Sequence, residues 1–188
     1  MKAARIVLIL ALVGAVSGGL LAWVYGRAAP LIAENRRRVI REAVLAVIPD
    51  AKAVAARRVG KTTIYRATGR GGGISGYAFP AETPGFQGQI RMMVGMDKDF
   101  KKITGVRIVE NVETPGLGNR ITDKGFLGQF IGLRGDRLIV LLKNQPPAKA
   151  ENEVEAVTGA TISSRAVVNG VNEAVARVRR SWRRGGER

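Results

Sequence analysis

The sequence predicts an α+β protein, with a single N-terminal transmembrane helix followed by a domain that combines an antiparallel sheet with flanking helices. A long uncharged segment near the start, apolar runs rich in β-branched residues in the middle and apolar residues at helical spacing near the end support this prediction. The 188 residues suit one domain with an appendage. Neither a Gly-x-Gly-x-x-Gly sequence after a strand nor a Walker sequence occurs, so a nucleotide-binding α/β fold has no support.

The first segment is long enough to cross a membrane. Ile6 to Tyr25 are 20 consecutive uncharged residues, with Lys2 and Arg5 before them and Trp23 near their end. About 20 apolar residues span a bilayer core, and aromatic residues are typical of its interfaces. A cleaved signal peptide is the alternative, but its apolar region is usually only about 7–15 residues long. We therefore expect an uncleaved anchor at residues 1–28.

A second helical pattern follows the anchor. Apolar residues recur at helical spacing between Leu31 and Ile48, and Pro49-Asp50 ends the pattern. We expect a juxtamembrane helix, or an extension of the anchor, at residues 29–50. The folded domain is then expected at residues 51–180 and a basic tail at residues 181–188.

The middle of the chain predicts strands. Four apolar runs have the length and composition of strands: Ile74–Phe79, Gln89–Met96, Ile103–Val109 and Arg137–Leu142. Asp97-Lys98-Asp99 joins the second run to the third, which indicates a β-hairpin. The glycine-rich residues 69–73 predict a loop before the first run, and Gln145-Pro146-Pro147 interrupts the chain after the last.

Two turns in this region share the sequence Glu-Thr-Pro-Gly, at Glu82–Gly85 and at Glu113–Gly116. Proline sets the first corner of such a turn and glycine supplies a positive φ at the next, so a repeated turn is the simplest interpretation. The second copy continues as Leu117-Gly118.

The C-terminal helix is expected to follow a turn of small residues. Its apolar residues recur from Ile162 to Val178, directly behind Thr158-Gly159-Ala160-Thr161. Thr161 should therefore lie at a helix N-terminus, where unpaired amides and the helix dipole favour a bound anion. The alternative is an ordinary turn in which Ser163 or Ser164 caps the helix, and spacing alone favours this alternative.

The composition limits the possible chemistry. The chain has no Cys and no His, so it cannot supply the thiolate and imidazole ligands of iron–sulfur clusters, haem and zinc sites. We predict no metal site and no catalytic residue, so any redox chemistry must come from an organic cofactor. The net charge of +16 is typical of nucleic-acid binding, but the basic residues are scattered or terminal and only 5% of residues are aromatic. Anionic lipid or acidic subunits explain the charge more simply, and we expect no nucleic acid.

Two motifs carry a resemblance to a known family. Thr158-Gly159-Ala160-Thr161 resembles the flavinylation motif of the FMN-binding domain family, although Glu155 stands where that motif usually has Asp. Glu113 to Gly118 resembles a signature shared by the G subunit of the Rnf electron transport complex and the C subunit of the sodium-translocating NADH:quinone reductase. The resemblance spans about residues 75–175, and the form of the first motif favours the Rnf protein.

The resemblance implies an electron carrier with covalently bound FMN and no substrate site of its own. It would serve a complex that couples ferredoxin and NAD electron transfer to ion translocation. The implied partners are the multispan subunits of that complex, membrane lipid and a flavin transferase for maturation. The implied location is the bacterial inner membrane, with a single-pass anchor and a periplasmic domain. The arginines after the span, such as Arg27 and Arg41, would by the positive-inside rule place the domain in the cytoplasm instead.

The resemblance also implies the site residues. Thr161 would carry FMN through a phosphoester, and nine further residues would bind the cofactor: Thr158, Gly159, Ala160, Ser163, Ser164, Glu113, Thr114, Gly116 and Leu117. We expect Leu117 to pack on the flavin ring, Thr114 or backbone amides of the turn to bind its polar edge, and Glu113 to orient the loop. Met92 and Met93 are further apolar candidates. We expect the second Glu-Thr-Pro-Gly turn, and not the first turn with Phe86, to contact the flavin.

Two other functions remain open at this stage. The chain could be the FMN-binding module of another membrane-tethered reductase or of a sensor, with the same Thr161 motif. It could also be a non-redox protein that binds the membrane surface and carries no flavin.

Overall fold

The predicted α+β architecture is confirmed by a computed structural model, which describes residues 2–59 and 62–185. The helices are α1 (Lys2–Val47), α2 (Lys124–Gly128) and α3 (Thr161–Gly185). The strands are β1 (Ala53–Val59), β2 (Thr62–Thr68), β3 (Ile74–Pro84), β4 (Gln89–Met96), β5 (Ile103–Glu110), β6 (Val140–Leu142) and β7 (Glu153–Glu155). Short 3₁₀ segments occur at Gly118–Thr122 and Lys149–Glu151. The chain divides into two compact units between Ile40 and Arg41.

The first unit is helical throughout its described part. Its apolar residues between Ile6 and Tyr25 are exposed, and this part of α1 is long and apolar enough to cross a membrane. The helix continues through Pro30 to Val47, so residues 29–47 extend the same helix. The last turns of α1, from Arg41 onward, belong to the second unit.

The second unit is built on a five-stranded antiparallel sheet. Its strands lie in the order β1-β2-β3-β4-β5, so each strand pairs with the next one along the chain. The predicted hairpin between β4 and β5 is confirmed. Strand β3 is longer than predicted, because the first Glu-Thr-Pro-Gly turn continues its ladder until Pro84 lies opposite Gln89.

A second, two-stranded sheet pairs β6 with β7 in parallel. The strand predicted at Arg137–Leu142 is shorter than expected, because the side chain of Asn152 replaces part of a ladder. Its amide nitrogen donates to the carbonyl groups of Arg134, Arg137 and Leu138, at 3.0, 3.2 and 3.3 Å. This buried side chain therefore holds residues 134–138, together with an isolated antiparallel bridge between Arg134 and Lys102.

Helix α3 covers one face of the large sheet. Its apolar residues Val167, Val171 and Val178 are buried in the same cluster as Phe79 of β3. The helix continues beyond the predicted domain boundary at residue 180, since it ends at Gly185 and the ring of Trp182 packs 4.9 Å from that of Tyr77. Residues 181 and 182 are thus part of the folded unit and not of a separate tail.

The C-terminal end of α1 covers part of the other face, on a glycine platform formed by Gly76, Gly95 and Gly105. Gly95 and Gly105 lie opposite each other on β4 and β5. A Cβ atom at Gly95 would lie 2.5 Å from the carbonyl oxygen of Val47, and one at Gly105 would lie 3.0 Å from its Cα. The Thr104 hydroxyl donates to the same Val47 carbonyl at 2.7 Å, which satisfies a group that the helix end leaves unpaired.

Candidate functional site

The turn before α3 and the second Glu-Thr-Pro-Gly turn line a shared cavity of about 310 Å³. Ten residues form its walls: Phe86, Glu113, Thr114, Leu117, Gly118, Gly159, Ala160, Thr161, Ile162 and Ser163. The walls are mostly apolar, and the volume lies at the lower end of the range of small-molecule sites. The structure therefore brings the two sequence motifs together.

The N-terminus of α3 forms one wall of this cavity. The helix begins at Thr161, as predicted, and its hydrogen-bond ladder starts with the Ser164 amide, which donates to the Ala160 carbonyl at 2.8 Å. The amides of residues 161–163 therefore have no intrahelical acceptor. Gly159 turns the chain into the helix with a φ of 84°, which a side chain would disfavour. A helix of 25 residues adds its dipole, so this wall favours an anion.

The two serines of the motif lie inside the first turn of α3, and the interpretation of either as the N-cap is wrong. Both are buried, and each hydroxyl makes a tertiary or loop contact. The Ser163 hydroxyl donates to Glu113 Oε2 at 2.5 Å, and the Ser164 hydroxyl accepts from the Val157 amide at 3.1 Å. Ser163 lines the cavity, whereas Ser164 holds the preceding turn and does not.

The carboxylate of Glu113 connects three parts of the chain at this site. Its side chain is only 5% exposed. Oε1 accepts from the amides of Phe86 and Gln87, at 2.8 and 3.0 Å, while Oε2 accepts from Ser163. Hydrogen bonds of this kind offset the cost of burying a charged group, and no cation pairs with Glu113 in the part of the chain that the structure describes. Glu113 therefore orients both Glu-Thr-Pro-Gly turns, whereas only the second was predicted.

Two glycines leave room for this carboxylate. A Cβ atom at Gly118 would lie 2.5 Å from Glu113 Oε2, and one at Gly85 would overlap Oε1. Gly85 belongs to the first Glu-Thr-Pro-Gly turn, and Gly118 follows the second. The close approach of the carboxylate explains why both positions lack a side chain.

Three large apolar side chains surround the mouth of the cavity. Phe86 is 64% exposed, Leu117 54% and Ile162 59%. Phe86 comes from the first turn, so both turns contribute to the walls of this cavity, while the expectation that only the second turn contacts the flavin stays a prediction. Phe86 was not expected here because the first turn resembles the family only loosely. Ile162 was not expected because its place in the helical apolar pattern indicated a core residue.

Four of the other predicted residues lie outside the cavity. Thr158 is exposed, and its carbonyl accepts from Arg120 Nη1 at 3.3 Å. Gly116 shapes the second turn with a φ of 76°. Met92 and Met93 are buried on opposite faces of β4, so both are core residues.

Thr114 does line the cavity, where its hydroxyl accepts from Gln87 Nε2 at 3.2 Å. Glu155, the unusual residue before the motif, is held through its backbone. Its amide donates to Gln129 Oε1 at 2.7 Å, and its carbonyl accepts from Gln129 Nε2 at 3.3 Å.

The part of the chain that forms this cavity is similar to known proteins. Residues 85–176 match the family model of the FMN-binding domain. The G subunit of the ion-translocating oxidoreductase complex of Methanosarcina acetivorans is 31% identical over 180 residues, covering 91% of this chain and 92% of that protein. The G subunit of the proton-translocating ferredoxin:NAD(+) oxidoreductase complex of Clostridium ljungdahlii is 34% identical over 163 residues, covering 87% of this chain and 84% of that protein.

The fold is also known from a crystal structure. NqrC of Shewanella oneidensis aligns with a TM-score of 0.57 at 24% identity, over 72% of this chain and 67% of that chain. The sequence relatives cover almost the whole chain, and the matched domain contains every wall of the cavity. The chain therefore belongs to the family of G subunits of ion-translocating oxidoreductase complexes, with an FMN-binding domain at residues 85–176.

Proposed function

We propose that this chain is a membrane-anchored FMN electron carrier in an Rnf-type complex that couples ferredoxin and NAD electron transfer to ion translocation. One observation carries the proposal: Thr161 lies at the N-terminus of α3, beside an apolar cavity, within the matched FMN-binding domain. The names of the relatives support the assignment to a complex. An apolar helix that can cross a membrane supports anchoring.

The residues of the cavity fit the two parts of FMN. The free amides at the start of α3 suit the phosphate group. Phe86 and Leu117 offer apolar surfaces for a planar ring. When bound, FMN supplies electron transfer. The chain has no Cys and no His, which are the usual ligands of iron–sulfur clusters and haem. The chain itself holds and orients the cofactor and acts on no substrate of its own.

We further propose that FMN is attached covalently through a phosphoester to the Thr161 hydroxyl. Three hydroxyl groups line the cavity, on Thr114, Thr161 and Ser163. Ser163 is buried and donates to Glu113, and Thr114 accepts from Gln87. Thr161 is half-buried at the first helical position, so its hydroxyl is the best placed of the three for attachment. Glu113 is the only acidic residue in the walls, and its carboxylate already accepts three hydrogen bonds. Because it is not free to take the proton of the Thr161 hydroxyl, we expect a separate flavin transferase to make the attachment.

We expect Thr161→Ala to lose the attached flavin, because the substitution removes the oxygen that would be esterified. The loss of stability should be only about 1 kcal/mol, as for most partly exposed substitutions. Flavin fluorescence of the denatured chain and peptide mass spectrometry measure the attachment. Thr122→Ala, at an exposed threonine outside the cavity, should keep the flavin. Flavin found on another peptide of the Thr161→Ala chain would contradict the assignment.

We also expect Leu117→Ala and Phe86→Ala to change the environment of the flavin ring, because each substitution removes an apolar wall. A differential loss of about 1 kcal/mol between the oxidised and reduced forms would shift a two-electron midpoint potential by roughly 20 mV. Potentiometric titration and iodide quenching of flavin fluorescence measure the two effects. Val112→Ala, at an exposed residue outside the cavity, is the control. An unchanged potential and quenching in Phe86→Ala would restore the interpretation that only the second turn contacts the ring.

Glu113→Ala should destabilise the domain by at least about 2 kcal/mol, because three donors lose their buried acceptor. Glu113→Gln keeps the shape and should cost less. Urea unfolding of the full chain in detergent, followed by circular dichroism, measures the difference. The control Glu110→Ala removes an exposed ion pair with Arg91 and should cost only about 0–1 kcal/mol. Equal losses in the Glu113→Ala and Glu110→Ala chains would refute the role of Glu113 in joining the turns.

We propose that α1 crosses the bacterial inner membrane once and that the domain lies on the periplasmic side, with multispan subunits and lipid as partners. The resemblance to the Rnf protein supports this orientation, whereas the arginines after the span favour the opposite one. Arg36, Arg37 and Arg38 would then contact lipid headgroups or partner subunits. Protease treatment of sealed right-side-out vesicles should digest the domain. A fully protected domain would reverse the orientation.

A further inference from the structure

A larger cavity, of about 890 Å³, is lined by the turn between β4 and β5, the loop before β6 and the C-terminal part of α3. We call it the cationic cavity, because its walls include five basic residues: Lys98, Lys101, Lys102, Arg134 and Arg179. Arg179 lies 18 residues after Thr161 along α3, which places it about 27 Å from the start of the helix. The cationic cavity is therefore separate from the candidate FMN site.

The positive charge of this cavity is only partly balanced. Five basic residues face two carboxylates, Asp99 and Asp136, which leaves an excess of three positive charges. Arg134 and Asp136 form a two-pronged pair, with contacts of 3.0 and 2.8 Å, and hydrogen bonding to Arg134 lowers the pKa of Asp136 to about 2. Arg179 also contributes to the low pKa of Asp136, and Asp99 is the other carboxylate in the walls.

Helix α3 does not account for this charge. The helix dipole favours basic residues mainly in the last turn, and Arg179 lies six residues before the end of α3. The three lysines lie instead on the turn between β4 and β5, and Arg134 lies on a loop. Since like charges brought together repel one another, the arrangement is favourable when an anion enters.

The turn that carries the lysines is held in one conformation. Asp97 accepts from the Lys101 amide at 2.7 Å through its side chain and from the Phe100 amide at 3.1 Å through its carbonyl. Phe100 adopts a φ of 53°, and its buried ring packs 4.8 Å from the rings of both Tyr77 and Trp182. Phe100 and Trp182 also line the cavity, so the lysines stand beside a fixed aromatic wall.

We propose that the cationic cavity binds a ligand with two closely spaced phosphate groups, either a free diphosphate compound or the headgroup of a two-phosphate lipid. Lysine ammonium groups and the Arg179 guanidinium are suited to phosphate oxygens. The volume lies within the range of small-molecule sites. Two phosphate groups bring at least two negative charges into the cavity, which offsets most of the excess of three in its walls. The proposal does not depend on flavin binding at Thr161.

Trp182 gives a direct signal for this binding. The chain has two tryptophans, so Trp23→Phe leaves Trp182 as the only one. In the full-length Trp23→Phe chain in neutral detergent, inorganic pyrophosphate should change Trp182 emission in a saturable way. Adding Lys98→Gln and Lys102→Gln should weaken the apparent affinity at least tenfold. Adding Lys124→Gln and Lys143→Gln, at exposed lysines outside the cavity, should change it less than threefold.

A second arm distinguishes the source of the phosphates. The same chains are reconstituted in phosphatidylcholine vesicles with and without cardiolipin, and a cardiolipin effect on Trp182 that requires Lys98 and Lys102 would identify a lipid headgroup. A response to pyrophosphate alone would identify a free compound. The proposal is overturned if neither probe changes Trp182 emission, or if the Lys98/Lys102 variant responds as its parent does. It is also overturned if polyglutamate binds with the same lysine dependence and pyrophosphate does not, since the cavity would then be an interface for an acidic protein segment.

Discussion

One buried carboxylate holds the candidate site together. Glu113 is almost inaccessible to water, and its two oxygens accept hydrogen bonds from the first turn, through Phe86 and Gln87, and from α3, through Ser163. Gly85 and Gly118 are the residues that let the chain approach it this closely. Because a buried charge is costly without such partners, Glu113 stabilises the arrangement of the three segments. The walls around Thr161 therefore depend on a contact between residues 50 positions apart in the sequence.

Sequence reasoning was most successful where a local pattern determines the structure. The hairpin of β4 and β5 follows from two apolar runs joined by a polar turn, and the start of α3 at Thr161 follows from the helical spacing after Gly159. It failed where tertiary contacts decide. Strands β1 and β2 contain small, polar and charged residues with little apolar pattern, and they form strands because β2 pairs with β3 and β1 pairs with β2. Asn152 shortens β6 through its side chain, which no propensity would indicate.

The site shows the same division between local and long-range information. Thr161, Glu113, Thr114 and Leu117 were predicted through the two motifs, and all four line one cavity. Phe86 is not expected in the walls because the first turn resembles the family only loosely, and its link to the second turn through the Glu113 side chain leaves no periodic pattern in the sequence. For the serines after Thr161 the sequence allows two interpretations, cofactor binding by resemblance and helix capping by spacing. Here Ser163 and Ser164 instead make contacts with Glu113 and Val157.

The glycine platform also has a consequence for the motions of the domain. Strand β4 is covered by α3 on one face and by the end of α1 on the other, and it pairs with a strand on each side. An opening that separates β4 from β5 at Gly95 would also disturb the packing of Val47 and its hydrogen bond from Thr104. The centre of the sheet and the end of α1 are therefore expected to open together, as one cooperative unit. A force applied to α1 would first lower the protection of β4 and β5 against hydrogen exchange.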